Sequence, residues 1–143
     1  EIQPLLDKIF IQYNQKADSK DLYLNTVKTD ATAVFDEKWT LEALCNIVDN
    51  AIKYTVTGGI SINVIVYEFF VRIDISDTGI GISDNEHEKV FSRFYRSEKV
   101  NTTEGVGIGL YLARKIITGE NGYIKVSSLP EHGSTFSVFL SKL

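Results

Sequence analysis

The sequence predicts an α+β fold: a two-layer α/β sandwich with one mixed, mostly antiparallel sheet and helices on one face. Three observations carry this. Segments 37–54 and 107–119 place apolar residues at helical spacing. Residues 60–66 and 71–77 alternate in character around a turn near Glu68, and "GYIKVSS" and "GSTFSVFL" form a second such pair around Pro130 to Gly133. The helices interleave with hairpins, whereas a doubly wound parallel sheet needs regular strand-helix-strand alternation.

In order, residues 2–17 set Ile2, Leu6, Ile9 and Tyr13 at helical spacing, with Lys8, Gln12 and Lys16 elsewhere, which predicts an amphipathic helix. The polar stretch Ala17 to Asp21 ends it. Residues 22–28 and 31–35 read as two short strands around Thr29-Asp30, a first hairpin. Asp36 is placed to cap the long helix over 37–54. Gly58-Gly59 breaks the chain, and Ile60, Ile62, Val64 and Val66 then share one strand face. Residues 83–104 are polar and charged around a short aromatic helix, "VFSRFYR". Nothing repeats and no second domain is visible, so 1–143 reads as one domain.

Composition narrows the function. The 143 residues carry a net charge of −4 and 43% apolar side chains, which suits one domain with a real core and gives no broad basic face for nucleic acid. Cys45 is the one cysteine and lies on the apolar side of its helix. It reads as a small core residue, with no disulfide and a reducing cytosol as the expectation. No apolar run approaches the roughly 18 residues of a membrane span, and no signal peptide is apparent. The chain begins at Glu1 and has no methionine, so the expectation is a domain of a larger protein.

Five stretches can carry chemistry. In the long helix that contains "NIVDNAIKYT", Glu42, Asn46, Asn50 and Lys53 fall within an arc of about 80° opposite Leu41, Leu44, Val48, Ala51 and Ile52. Taken alone this is a solvated face. Yet asparagine costs helix stability, an amide oxygen suits Mg²⁺, and a lysine one turn on suits the phosphates that Mg²⁺ bridges. In "RIDISDTGIGI", strict alternation turns Asp77 toward the core with Val71, Ile73 and Ile75. Asp77 is either a turn cap or an acceptor for the amino group of a buried planar ligand such as adenine. Gly79 and Gly81 permit close approach and positive φ.

"GVGIGLYLARKI" runs Gly105, Gly107 and Gly109 into an amphipathic helix. Amides at a helix start favour phosphate, and a flexible hinge is the plainer reading. It is neither the dinucleotide fingerprint, lacking a preceding strand, nor a Walker loop, lacking GK[ST]. The stretch 83–104 between these motifs is suited to a lid, anchored by Phe91 and Phe94, with Arg93 and Arg96 either reaching phosphate or solvated. In "HGSTFSV", Ser134 and Phe136 share a face, as a ligand-side hydroxyl and an apolar wall or as ordinary strand residues. His87 and His132 lie in turn-like stretches and read as surface residues without metal-ligand spacing.

The order of these segments resembles the ATP-binding (catalytic) domain of bacterial two-component sensor histidine kinases, in the GHKL superfamily with the Bergerat fold that includes DNA gyrase, Hsp90 and MutL. "NIVDNAIKYT" is similar to the N box, "DTGIGI" to G1, "VFSRFYR" to the F box, "GVGIGL" to G2 and "GSTF" to the last glycine box. The resemblance covers essentially the whole chain.

It implies ATP and Mg²⁺ as cofactors and 83–104 as the ATP lid. Asn50 would be the Mg²⁺ ligand, with Asn46 supporting the metal–phosphate site. Lys53 would contact phosphate and Tyr54 would border the nucleotide. Asp77 would accept from the adenine amino group, with Gly79 and Gly81 making room and Ile82 and Tyr95 beside it. Gly105, Gly107 and Gly109 would cradle phosphates and hinge the lid. Leu110 and Phe136 would line the base pocket. Ser134 stands where the family usually has threonine, and Val106 and Ile108 vary the G2 pattern. Arg96 would meet the γ-phosphate, so Asn46, Asn50, Lys53 and Arg96 form the implied catalytic set. Gyrase-like ATPases carry a glutamate base where this chain has Asn46, which favours phosphoryl transfer over hydrolysis. No "HExRTP"-like acceptor helix is present, and residues 1–16 read as the remnant of the junction to it. The implied partners are a histidine-bearing dimerisation domain and a response regulator. The implied parent is a membrane-anchored homodimer with this domain in the cytoplasm. The alternatives are a gyrase- or Hsp90-like hydrolase and a non-catalytic binding module.

Overall fold

The computed structural model describes residues 1–82, 87, 89–91, 109–128 and 131–143. Helix α1 (Gln3–Asp18) starts with a proline in its first turn, where no intrahelical N–H is required, and buries Leu5, Leu6, Ile9 and Ala17. Helix α2 (Glu37–Lys53) starts as the sequence predicts, with the Asp36 carboxylate accepting from Trp39 N at 2.9 Å. Such a cap contributes about 1 kcal/mol. Helix α3 spans Gly109–Gly119. The five strands are β1 (Tyr23–Asn25), β2 (Gly59–Val66), β3 (Phe70–Asp77), β4 (Tyr123–Ser128) and β5 (Ser134–Ser141).

They form one sheet in the order β1-β2-β3-β5-β4, with β1 parallel to β2 and every other pairing antiparallel. The predicted mixed sheet and its two hairpins are therefore present. Tyr67 N donates to Phe70 O at 2.8 Å and closes the turn at Glu68-Phe69. The core lies between the sheet and the helices. Leu44, Ile47 and Ile52 of α2 and Ile60, Ile62, Ile73 and Ile75 of the sheet are essentially inaccessible. Burying each such side chain contributes roughly 1.5–3 kcal/mol. Cys45 is buried among them, as its position on the helix predicts.

The first predicted hairpin does not form. Only Tyr23–Asn25 is strand, and it pairs with β2 in parallel, Tyr23 opposite Gly59. Residues 26–36 spend their hydrogen bonds elsewhere. Thr29 N donates to Gln3 Oε1 at 2.7 Å, Ile2 N to Ala31 O at 3.1 Å, and Val34 N to Ser141 O at 2.8 Å. The segment thus ties the start of α1 to the end of β5. Alternation reports which way side chains point and does not choose the pairing partner. Gly59 allows the parallel pairing, because a Cβ there would lie 2.4 Å from Tyr23 O.

One buried polar contact joins the helices. Thr40, fully buried in the first turn of α2, has its hydroxyl 2.7 and 2.9 Å from the two carboxylate oxygens of Glu120, just past the end of α3. The carboxylate also sits at the positive end of the α2 dipole. Thr40→Val keeps the shape and removes the donor. We expect it to cost about 1–2 kcal/mol in urea unfolding with an unchanged m-value.

Candidate functional site

The C-terminal half of α2 carries the polar stripe. Asn46, Asn50 and Lys53 are each half-buried, and Tyr54 follows as the helix C-cap, its N donating to Asn50 O at 3.2 Å. Asn46 Nδ2 is buried with no hydrogen-bond partner among the described residues. A buried donor left unpaired costs about 1–3 kcal/mol, so a solvated face does not explain it. The side chain of Asn50 forms no hydrogen bond among the described residues, which leaves its amide oxygen uncommitted. Lys53 Nζ lies 3.4 Å from Asp49 Oδ2.

Helix α3 brings the last glycine of "GVGIG" to this stripe. A Cβ on Gly109 would sit 3.8 Å from Cβ, Cγ and Oδ1 of Asn46, so the start of α3 abuts the asparagine. Leu110, the next residue, is buried in the common core. Two predicted features far apart in the chain thus meet, and they place a helix N-terminus beside amide side chains.

The second wall is the end of β3. Asp77 pairs in register with Ile60 on one side and Ser134 on the other. Its Oδ1 accepts from Gly79 N at 2.9 Å and Ser134 N at 3.3 Å, while Oδ2 has no partner among the described residues. Burial pushes its carboxyl above the usual aspartate range, and these two N–H donors oppose that shift. The turn-capping reading is thus seen at Oδ1, while Oδ2 is unpaired among the described residues. The turn itself seats on α2, with Ile80 N donating to Tyr54 O at 3.2 Å. Gly79 fits there because a Cβ would lie 2.4 Å from that same carbonyl oxygen. Gly81 has φ of +74°, the positive value its residue type permits.

Ser128, which the sequence reading passed over, ties this wall together. Its hydroxyl accepts from Ile82 N at 2.7 Å and lies 2.8 Å from Gly133 O and 3.0 Å from Ser134 Oγ. The signal was parity: counting back along β4, Ser128 points the same way as Ile124 and Val126. Ser134 is buried, and its contribution to Asp77 comes through its main-chain N–H. Thr78 fixes the other flank, its hydroxyl accepting from Gly59 N at 3.0 Å and donating to Thr57 O at 2.7 Å.

The apolar side is Phe136, buried and edge-on to Phe91 at 6.0 Å between ring centroids. Phe91 closes a short 3-10 turn, Lys89–Phe91, and the Arg114 guanidinium of α3 lies 4.9 Å from its ring centroid. This is the anchoring predicted for Phe91. His87, read from sequence as a surface residue, is half-buried with Nε2 3.1 Å from Ile82 O. His132 is exposed. Tyr95, Arg96, Gly105 and Gly107, with Arg93, Phe94 and most of the lid 83–104, lie outside the described residues.

The polar stripe of α2, the inward aspartate of β3 and the start of α3 thus converge at one edge of an α/β sandwich. Residues 35–143 match the family described as histidine kinase-, DNA gyrase B- and HSP90-like ATPase, and the chain belongs to that family. It is similar to the adaptive-response sensory kinase SasA of Microcystis aeruginosa, 36% identical over 139 residues, which cover 94% of this chain and 36% of the relative. It is also similar to the sensor-like histidine kinase SenX3 of Mycobacterium tuberculosis, 32% identical across 100% of this chain and 36% of the relative. The chain therefore spans about a third of the length of these curated relatives. Among solved structures, the catalytic domain of histidine kinase ThkA superposes with a TM-score of 0.84 at 26% identity, covering 99% of this chain and 94% of that one. The resemblance to histidine-kinase ATP-binding domains read from the sequence is borne out, as is the fold.

Proposed function

We propose that this domain binds Mg·ATP along α2 and delivers the γ-phosphoryl group to a histidine on a separate helical domain of a sensor kinase. The observation that carries this reading is Asp77: a half-buried carboxylate whose Oδ1 is held by two main-chain amides while Oδ2 has no partner among the described residues. That arrangement suits the amino group of adenine. From Tyr54 back to Asn46, α2 extends about 12 Å along its axis. The base then lies at the Asp77 end and the phosphates at the Asn46–Gly109 end.

Asn50 would hold Mg²⁺ through its uncommitted amide oxygen. Among the described residues no group of three or more His, Cys, Asp or Glu could hold a metal. A Mg²⁺ taking one protein oxygen and completing its shell from phosphate and water fits this donor set. When bound, the ion supplies charge neutralisation on the phosphates. Lys53 would add a point charge and the α3 start would add oriented amides. The Asn46 amide supports a phosphoryl transferase, since it cannot remove a proton from water as a carboxylate would.

In the transfer, the acceptor imidazole nitrogen forms a bond to the γ-phosphorus. The bond from that phosphorus to the β,γ-bridging oxygen breaks, and ADP leaves. The protein contributes position and charge. A lid over 83–104, with Tyr95 and Arg96 on the nucleotide and Gly105 and Gly107 cradling phosphate, completes the proposed site. We further propose that the phosphoryl group passes to an aspartate of a response regulator, and that the parent is a membrane-anchored homodimer with this domain in the cytoplasm.

The test adds ATP and the parent's dimerisation domain to this domain in trans. Acid-labile phosphate on histidine is the expected product. Normal nucleotide binding without that product would overturn the kinase reading. Asn50→Ala sharpens the test. We expect it to lower Mg²⁺-dependent transfer on the order of a hundredfold. The same change should leave stability unchanged or raise it by about 0.5 kcal/mol, because alanine is the better helix former. Thermal melting beside a phosphotransfer time course reads both.

A further inference from the structure

Asp49, the residue before Asn50, enters the site described above only as the partner of Lys53. It stands between two lysines of different origin. Its Oδ2 lies 3.4 Å from Lys53 Nζ, one turn along α2, and its Oδ1 forms an ion pair with Lys16 Nζ of α1. The Asp49 side chain is 26% exposed, whereas the Lys16 side chain is 49% exposed, so the pair is partly screened and its effect is read best at low ionic strength. Lys20, just beyond α1, reaches the same place. Its Nζ donates to Ile52 O at 2.6 Å and lies 3.4 Å from Lys53 O. The end of α1 therefore engages the last turn of α2 at both a side chain and its terminal carbonyls.

One ammonium cannot serve a carboxylate and a phosphate equally. Lys53 is divided between Asp49 and whatever anion occupies the cleft. Lys16 is the rival claimant on Asp49: the more completely it neutralises that carboxylate, the less Asp49 holds Lys53 and repels phosphate. We propose that Asp49 is a positioning residue for Lys53 and that Lys16 sets the strength of its grip. The seating of α1 on α2 thereby tunes the affinity of the cleft for a nucleoside triphosphate. This rests on the reading of Lys53 as a phosphate contact.

The test measures binding of Mg·ATP and of adenosine, which has no phosphate, at low ionic strength. The chains compared are the parent, Lys16→Met, Asp49→Asn, the double variant and Lys53→Met. Lys16→Met should weaken Mg·ATP about three- to tenfold, and Asp49→Asn should tighten it by a similar factor. In the Asp49→Asn background, Lys16→Met should have no further effect. Adenosine affinity should stay constant throughout. An equal effect of Lys16→Met in both backgrounds would overturn the proposal, since Lys16 would then act without Asp49. Parallel changes in adenosine affinity would overturn it too, by showing a distorted helix. If Lys53→Met leaves Mg·ATP affinity unchanged, the phosphate role of Lys53 itself fails.

Discussion

Asp77→Asn should abolish ATP binding while leaving the fold at least as stable. The reason is which oxygen the protein already holds. Oδ1 accepts from Gly79 N and Ser134 N, so an asparagine must keep its single oxygen there. Its NH₂ group is then forced into the position of Oδ2. A donor would face the adenine amino group, another donor, and flipping the amide would instead oppose it to two main-chain N–H groups. We expect an affinity loss of about 10²–10³-fold, on the order of 3–4 kcal/mol. Stability moves the other way. Burial raises the Asp77 carboxyl above its ordinary value of 3.8, so the folded state holds this proton more tightly than the unfolded chain. The corresponding stability is fully present below the unfolded value and is lost as pH rises through the raised folded value. Above that raised value the ionised aspartate is therefore a liability that asparagine lacks. The melting-temperature advantage of the variant should shrink as pH falls toward 3.8. Isothermal titration with ATP and thermal melts over a pH series test both halves. A variant that bound ATP normally would remove Asp77 from the base pocket.

Gly79→Ala should disrupt the site with a single methyl group. Its Cβ would lie 2.4 Å from the Tyr54 carbonyl oxygen, 2.9 Å from Asp77 Oδ1 and 3.0 Å from Thr55 Oγ1. The first of these is backbone at the end of α2 and cannot rotate away. The turn must lift, which breaks the Ile80 N to Tyr54 O bond and shifts the carboxylate that Gly79 N holds. We expect about 2–4 kcal/mol of destabilisation in denaturant unfolding. ATP binding should fall below detection even at temperatures where the variant remains folded. Retention of near-parental affinity in the folded variant would show that the turn relaxes without moving Asp77.

Both effects concern a site whose parts were legible and whose joints were not. Alternation along β3 turned Asp77 inward, and helical spacing on α2 put Asn46, Asn50 and Lys53 on one side. These are short-range consequences of backbone periodicity, readable wherever one face is buried. The failed hairpin at 22–35 shows the limit of the same signal. Residues 22–25 have strand character, but their partner lies beyond α2, and residues 26–36 bind to α1 and β5. Ser128 was missed for a related reason. Parity turns this serine inward, but its role as a joint appears only once the hairpin closes on Gly133 and Ile82 arrives from beyond β3.

The two-layer architecture, the inward aspartate, the amide stripe and the amide at position 46 were all readable from the chain alone. Each depends on residue type and on periods of two or 3.6 along one segment. Folding in three dimensions was needed to show that Oδ1 of Asp77 is held while Oδ2 is unpaired among the described residues, that Gly109 abuts Asn46, and that Lys16 and Lys53 both pair with Asp49. Those contacts join residues dozens of positions apart. A directed hydrogen bond or a close approach of two backbones exists only once packing has set both ends.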